Sequence, residues 1–382
     1  MARSVAIVKV YQTPYKEKYG EIMLEELIYQ SCQKLLQEVG LTIRDVDNVV
    51  IASSDMTDGR AISCMVTGGP AGSYYKDLLN LSSSGEHAFH LAAMQIMSGM
   101  YDLTMVASWS KTSESPIDEV DRLSCEPYYT RSIGLNTLIG SAMEAVSYIS
   151  KYQPDREAIR QVSVKNRKNA LKNPLAHLRK EVSLDEVKNA GVVSWPLTEL
   201  EVPPYSDGVC VMLLASEEKA EKFPGPKAWV RGIGWATGNY WMGERDLSIL
   251  PSLETAARHA YRMAGIAEPL KEIDVAELQE ASSCNEIMQY EALGFCGKGQ
   301  GWRLIDDGTV FPDGSLPVNL SGGTLSANPV FCSGLVRIAE VALQVTGQAG
   351  DRQKEGAATG IASSVNGFAS QNGSVVILSN RK

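Results

Sequence analysis

The sequence predicts an α/β protein made of one strand-and-helix unit used twice, with an unlike region inserted between the copies. Three observations predict it. An amphipathic helix, a glycine and a short apolar strand follow one another from residue 24 and again from residue 253. A second helix, opened by Ser-Gly, follows each of them, at Ser84-Gly85 and at Ser333-Gly334. The 382 residues suffice for two to three domain-sized units with a large core.

Each element has a local cause. Leu24, Leu27, Ile28, Cys32, Leu35, Leu36 and Val39 fall on one helical face, and Gly40 stands where a helix end calls for a positive φ. Asn48-Val-Val-Ile-Ala reads as a buried strand. The helix from Ser84-Gly85 runs through Ala88, Leu91, Ala92 and Ile96 to Gly99, and a β-rich segment follows at 102–110. In the second copy Leu253, Ala256, Ala257, Ala260 and Ala264 form the face, Gly265 ends the helix, and Ile273-Asp-Val-Ala begins the strand. The helix from Ser333-Gly334 runs through Leu335, Ile338, Ala339 and Ala342 to Gly347, and 374–378 is the β-rich segment expected after it. Matching order, cap and strand favour duplication over a chance recurrence of amphipathic helices.

The intervening region holds a helix at about 135–152, a charged helix at 154–170 and a loop-rich stretch at 171–208. Lys165, Arg167, Lys168, Lys172, Arg179 and Lys180 give it local positive charge. Two readings stay open: solvated helix faces, or a phosphate-binding insertion over a cleft. Phe223-Pro-Gly-Pro226 marks the start of the second half. The expected divisions are therefore 1–111, 112–222 and 223–382.

Composition narrows the function classes. Lys and Arg number 36 against 45 Asp and Glu, a net charge of −9, which disfavours nucleic acid and anionic membranes as partners. With 44% hydrophobic and 21% charged residues, the chain is neither disordered nor a coiled coil. Seven scattered cysteines without a C-x-x-C pair argue against a disulfide framework and a structural zinc site, and suit a reducing cytoplasm. The N-terminal apolar stretch is too short for a signal sequence, and no run of about 20 apolar residues predicts a membrane span. Only His87, His90, His177 and His259 could act as a histidine base.

Several stretches carry a resemblance: Lys172-Asn-Pro174, Ser183-Leu-Asp-Glu-Val187, Ser206-Asp-Gly208, Asn285-Glu-Ile-Met-Gln-Tyr-Glu-Ala-Leu-Gly-Phe-Cys296 and Asn319-Leu-Ser-Gly-Gly323. On these the chain resembles the thiolase superfamily, specifically the sterol-carrier-protein-type thiolases, along nearly its whole length. The resemblance implies the thiolase fold: two βαβαβ halves in a five-layered α/β body with an inserted loop domain. It implies an enzyme that makes or breaks a carbon–carbon bond in a coenzyme A thioester. CoA is then substrate or product, with no covalently bound cofactor. In such enzymes a cysteine thiolate at a helix N-terminus becomes acylated, a histidine activates it, a second cysteine or histidine moves a proton, and an asparagine helps hold the enolate.

This chain departs from that pattern at three of the four positions. Ser82, in Ser82-Ser83-Ser84-Gly85, replaces the nucleophile. Asn328, in Ala327-Asn328-Pro329, replaces the histidine, and the last position falls at about Val365. Asn285 alone stands where it is expected. Serine is a weak nucleophile without a base, and Asn328 is no base. His87 and His90 lie five and eight residues past Ser82, with His87 expected to point away from the turn, both being read as packed or solvated. Ser82 is therefore expected to cap its helix or to hydrogen-bond a substrate. Cys284 and Cys332 are the alternative thiols, against the plain reading of small buried hydrophobes. Glu280, Tyr205 and Tyr290 are weaker proton-transfer candidates.

Three functions follow. The first is carbon–carbon bond chemistry on an acyl-CoA without a stable acyl-enzyme, with Asn285, Asn328 and Ser82 holding the enolate. It takes the form of acyl transfer on a 3-oxoacyl-CoA, favoured because it dominates the family, or retro-aldol cleavage of a 3-hydroxyacyl-CoA. The second is a conventional thiolase using Cys284 or Cys332. The third is a non-catalytic subunit or acyl-CoA binding module. The resemblance also implies that Ser206, Gly322 and Gly323 line the CoA cleft, unless those glycines only permit tight turns. It further implies a homodimer, with a small zinc-ribbon and OB-fold protein as a possible partner subunit.

Overall fold

The computed structural model describes residues 3–382. Strands β1 (Val5–Gln12), β2 (Asn48–Ala52), β3 (Asp77–Leu81), β4 (Leu103–Ser110) and β5 (Gly208–Ser216) form the first half's sheet. Strands β6 (Ala228–Thr237), β7 (Val275–Gln279), β8 (Thr359–Asn366) and β9 (Asn372–Ser379) form the second. Helices α1 (Leu24–Glu38) and α2 (Gly85–Met97) belong to the first half. Helices α3 (Thr137–Tyr152) and α4 (Arg156–Ala170) lie in the inserted region. Helices α5 (Pro251–Ala264), α6 (Ser283–Ala292) and α7 (Ser333–Val345) belong to the second half.

Strand order bears out the duplication. Across the sheet it reads β3-β2-β4-β5-β1-β6-β9-β8-β7. In the first half β2 runs parallel to β4, and β4 and β1 flank β5 antiparallel. In the second, β7 runs parallel to β8, and β8 and β6 flank β9 antiparallel. The counterpart of β3 is reduced to a single parallel bridge from Ala276 to Val318. The halves meet along β1 and β6, through Ala6–Trp229 and Ile7–Ala228.

One expectation needs correction. The strand after α7 is β8, not the 374–378 segment, which belongs to β9. β8 reads Thr-Gly-Ile-Ala-Ser-Ser-Val-Asn, and its small and hydroxyl residues hide a strand that is buried over most of its length.

Alternation along the strands builds five layers. Val49, Ile51, Met105 and Ala107 pack with Leu27, Ile28 and Leu35 of α1 on one outer face. Val50, Ala52 and Val106 face inward to Ala88, Phe89 and Ala92 of α2 and Leu335, Ile338 and Ala339 of α7. Ala362, Val376 and Leu378 close that middle layer from the second half of the sheet. Ile361, Val375 and Ile377 face outward to Leu253, Ala256 and Ala260 of α5 and Ile287 of α6. The two middle helices meet at their first turns, where a Cβ on Gly85 would lie 2.7 Å from Leu335 Cβ. That crossing is where the functional residues gather.

Candidate active site

The turn before α2 carries the family's nucleophile position. Ser82 is exposed and lies ahead of the helix cap, which is Ser84 in extended backbone. The expected capping role of Ser82 is thus not realised. His87 also departs from expectation. Its Nδ1 lies 3.2 Å from Ser83 Oγ and 3.4 Å from Glu86 Oε1, so the ring reaches back to the turn. Helical side chains lean toward the N-terminus of their helix, which is why it does so.

Glu86 anchors the turn to the other half. Its side chain is 1% exposed, and Oε1 accepts from Asn366 Nδ2 at the end of β8. Oε2 is sealed without a partner beneath Gly334, where a Cβ would come within 2.0 Å of it. For His87, burial opposes the charged form, but the hydrogen bond and charge of Glu86 outweigh it and hold the pKa above the ordinary histidine value. The His87 side chain keeps 20% of its surface exposed. His90 is a packing residue, as expected. Its Nε2 lies 2.6 Å from Ser374 Oγ, its ring stacks on Trp235 at 5.0 Å, and burial, then His87, pulls its pKa down to about 3.

Asn285 sits in the first turn of α6, which Ser282 caps by accepting from the Asn285 backbone N–H at 3.2 Å. Its Nδ2 donates to Ser370 Oγ at 3.1 Å and Glu144 Oε2 at 3.4 Å. Its Oδ1 accepts from Gln289 Nε2 at 2.9 Å and the Ala281 N–H at 3.2 Å. Gln289 Nε2 also donates to Gln279 O at 2.8 Å, and Gln279 Nε2 to Asn366 Oδ1 at 3.4 Å. One chain of polar groups therefore joins Asn285 to Glu86 and His87 across both halves. Val365 lies buried in the outer apolar cluster, and its neighbour Asn366 supplies the polar group there. Glu144, from α3, carries no signal in the sequence. Burial pushes its pKa up to about 7, against the lowering pull of Ser370, Arg245 and Asn285.

Asn328 gathers a third group. Its Oδ1 accepts from Ser333 Oγ at 2.7 Å, next to the Gly334 that covers Glu86. Its backbone N–H donates to Ser206 Oγ at 3.1 Å, and its carbonyl accepts from the Ser206 N–H at 3.0 Å. Ser206 Oγ in turn lies 2.9 Å from His177 Nδ1. His177 has no motif to single it out beyond following the Lys172-Asn-Pro174 stretch.

The remaining candidates are placed as follows. Cys284 is 1% exposed, and burial drives its thiol far above the ordinary range. Cys332 is 0% exposed and donates to Ser108 O at 3.3 Å. Tyr290 donates its hydroxyl to Glu286, while Tyr205 is exposed, its pKa pushed up to about 12 by burial of the hydroxyl and by Asp121 and Asp118. Glu280 is buried and pushed up to about 7 by burial and the charge of Glu286. Gly322 and Gly323 both have positive φ. A Cβ on them would lie 2.6 Å from Ala170 Cβ and 2.2 Å from Glu280 Oε1, so the near space is already taken by the protein itself. Lys165 is no phosphate ligand: it is sealed, paired with Glu286 at 2.9 Å, and donates to Val318 O at 2.9 Å. Lys168, Lys172, Arg179 and Lys180 are exposed, whereas Arg167 is buried. Among the described residues no group of His, Cys, Asp and Glu could hold a metal, and no helix is long and apolar enough to cross a membrane.

Comparison with known proteins agrees with this architecture. Residues 5–195 match the family described as "Thiolase, N-terminal domain", and residues 236–380 match "Thiolase C-terminal domain-like". The chain is 28% identical over 376 residues to an acetyl-CoA acetyltransferase of Methanothermobacter thermautotrophicus, covering 96% of this chain and 97% of that one. It is 29% identical to sterol carrier protein 2 of Bos taurus, over 87% of this chain and 64% of that protein. It is also 29% identical to the benzoylsuccinyl-CoA thiolase subunit BbsB of Thauera aromatica, over 72% of this chain and 71% of that one. Among solved structures, the Ltp2-ChsH2(DUF35) aldolase superposes with a TM-score of 0.85 at 22% identity, covering 99% of this chain and 98% of that one, a likeness of fold. With both halves matched in order and the duplicated five-layered body in place, the chain belongs to the thiolase superfamily, among relatives of the sterol-carrier-protein type.

Proposed function

We propose that the protein cleaves or forms a carbon–carbon bond in an acyl-CoA through an enolate, without an acyl-enzyme, and that retro-aldol cleavage of a 3-hydroxyacyl-CoA is its reaction. One observation carries this reading. The turn that would hold a nucleophilic thiolate offers an exposed Ser82, while a histidine of raised pKa, His87, reaches back into the same turn with Glu86 and Asn366 behind it. A base with no thiol beside it, its Nδ1 already held by Ser83 and Glu86, suits proton removal from a substrate hydroxyl through its other nitrogen. The Cys284 thiol is held protonated by burial, and the Cys332 thiol donates to Ser108 O, so neither is presented as a thiolate. Acyl transfer, to which the family resemblance leans, would need CoA to attack directly.

With the Nδ1 hydrogen shared between Glu86 and Ser83, the neutral imidazole of His87 keeps its lone pair on Nε2. It takes the proton of the substrate's 3-hydroxyl. The C2–C3 bond breaks, C3 leaves as an aldehyde or ketone, and the bond's electron pair becomes the thioester enolate. Asn328 and Ser82 supply hydrogen bonds near that oxygen, Asn285 joins them by giving up one of its donations to Ser370 or Glu144, and protonation at C2 completes a shorter acyl-CoA. The CoA arm runs along the loop that Ser206, itself buried, ties to Asn328 and His177, with the exposed Lys168, Lys172, Arg179 and Lys180 near its phosphates. Gly322 and Gly323 shape the turn beneath rather than touch the pantetheine.

The chain works as a homodimer in the cytoplasm, divided at 1–111, 112–222 and 223–382. BbsB is by its name a subunit, and the structural neighbour an aldolase with a DUF35 partner, so a heteromeric assembly is part of the proposal. The test is to incubate the protein, with any co-purifying subunit, with 3-hydroxyacyl-CoA esters. A shorter acyl-CoA and a carbonyl compound support the reading, whereas cleavage of a 3-oxoacyl-CoA that requires added CoA refutes it.

A further inference from the structure

Arg167 is a buried arginine with nothing to hold. It lies on α4 and is 6% exposed. Its Nε is sealed without a hydrogen-bond partner, and no carboxylate among the described residues pairs with it. Burial alone acts on its charge, lowering its pKa, and no neighbouring acid offsets that. On the same helix Lys165 has Glu286, Asn166 and Val318 as partners. Buried charges in folded proteins are nearly always paired, because an unpaired one gives up its hydration for nothing. Ser163 Oγ and Arg160 Nε, four and seven positions earlier and so on the same helical face, are likewise sealed without partners.

The backbone on either side of it packs next to the candidate site. The carbonyl of the preceding residue, Asn166, accepts from Ser326 Oγ at 3.4 Å, two residues before Asn328. The Leu178 N–H donates to Ser326 O at 2.9 Å and so brings the His177 loop alongside. Burial lowers the pKa of His177 most, Glu17 and Asp207 pull it up, and the nearby charge of Arg167 lowers it further. Burial and Arg167 thus both disfavour a charge on His177, and the buried positive charge of this pair is that of Arg167.

We propose that Arg167, with His177 beside it, is a carboxylate-binding subsite, and that the acyl group this enzyme accepts ends in a carboxylate. A guanidinium presents a planar fork of donors that matches a carboxylate in two parallel hydrogen bonds. One buried positive charge answers one negative charge. The phosphates of CoA are multiply charged and strongly hydrated, and the exposed Lys168, Lys172, Arg179 and Lys180 suit them better. The proposal rests on the acyl-CoA reading above and adds the substrate class to it.

Calorimetric titration separates the two. Succinyl-CoA and glutaryl-CoA are compared with butyryl-CoA on the wild-type protein and on Arg167→Gln and Arg167→Lys. A charged, desolvated hydrogen bond is worth about tenfold or more in affinity. The expected result is that at least one dicarboxylic ester binds wild-type protein about tenfold or more tighter than butyryl-CoA. Arg167→Gln should remove that preference and leave butyryl-CoA affinity unchanged, while Arg167→Lys keeps only part of it. Equal binding of all three esters to the wild type would overturn the subsite alone, as would a preference that survives Arg167→Gln. Equal weakening of every ester by Arg167→Gln, absent when dephospho-CoA esters are used, would assign the arginine to a CoA phosphate and overturn it too. If even butyryl-CoA fails to bind wild-type protein, the acyl-CoA reading falls and the subsite with it.

Discussion

At the scale of single residues the chemistry turns on His87 and Glu86. His87→Gln keeps the ring's size roughly but not its basicity, and should lower kcat by about a hundredfold or more, the usual worth of a positioned base. Steady-state kinetics on the cleaved ester checks this, and Ser82→Ala should cost far less. The reaction needs neutral His87, so kcat should rise with pH through the His87 pKa. Glu86→Gln removes the carboxylate that raises that pKa and should move the rising limb to lower pH. A pH profile in which Glu86→Gln leaves the limb unmoved, or shifts it upward, would rule out the pairing. Little of this is legible in the sequence. Glu86 reads there as an ordinary acid in the first turn of a helix, where the dipole favours it. Sequence position alone leads one to expect His87 to lean away from the turn, and only the backward tilt of helical side chains brings it there. Asn285 is legible because its motif is long, and Asn328 because its neighbours Ala327 and Pro329 bracket it.

Among elements, the crossing of α2 and α7 fixes the site. A methyl group on Gly334 would sit only 2.0 Å from Glu86 Oε2, so Gly334→Ala must push α7 off α2 or displace the carboxylate. Overpacking of this kind costs about 1–3 kcal/mol, which a thermal melt would register. Combining it with Glu86→Ala should restore part of the loss, since the clashing atom is gone. If the double variant melts no higher than the sum of the single losses predicts, the clash is not what the glycine avoids. The helices themselves are readable because each buries one apolar face and ends in a glycine, as Gly40 and Gly265 do with φ of 69° and 73°. β8 is not, because strands buried on both faces need no alternation and this one is built largely from Ser, Ala and Gly. The sheet pairing that proves the duplication joins residues far apart in sequence, which no local pattern carries.

For the molecule as a whole, buried carboxyls set the pH response. Glu144 and Glu280 each have a folded pKa of about 7, above the ordinary glutamate value. Folding therefore favours their protonated forms, and stability should fall as pH rises from about 4.5 to about 7 and change little from these groups beyond. Glu144→Gln imitates the protonated form. Its melting temperature should match the wild type near pH 5 and exceed it at pH 8, by an amount on the order of a few kcal/mol in stability. A constant difference at all pH values would mean that Glu144 is not the group responsible. The same carboxyl touches Asn285, so its charge state also sets the field in which an enolate would form.

The central claim is bond cleavage without a covalent intermediate, and one experiment addresses it directly. A 3-hydroxyacyl-CoA and the matching 3-oxoacyl-CoA are incubated with the protein and any subunit that co-purifies with it. Chromatography follows the CoA esters, and mass spectrometry follows the intact chain. The expected result is that the 3-hydroxy ester yields a shorter acyl-CoA and a carbonyl compound without added CoA, while the protein's mass stays unchanged. Cleavage of the 3-oxo ester that depends on added CoA, with the chain gaining the mass of an acyl group, would contradict it.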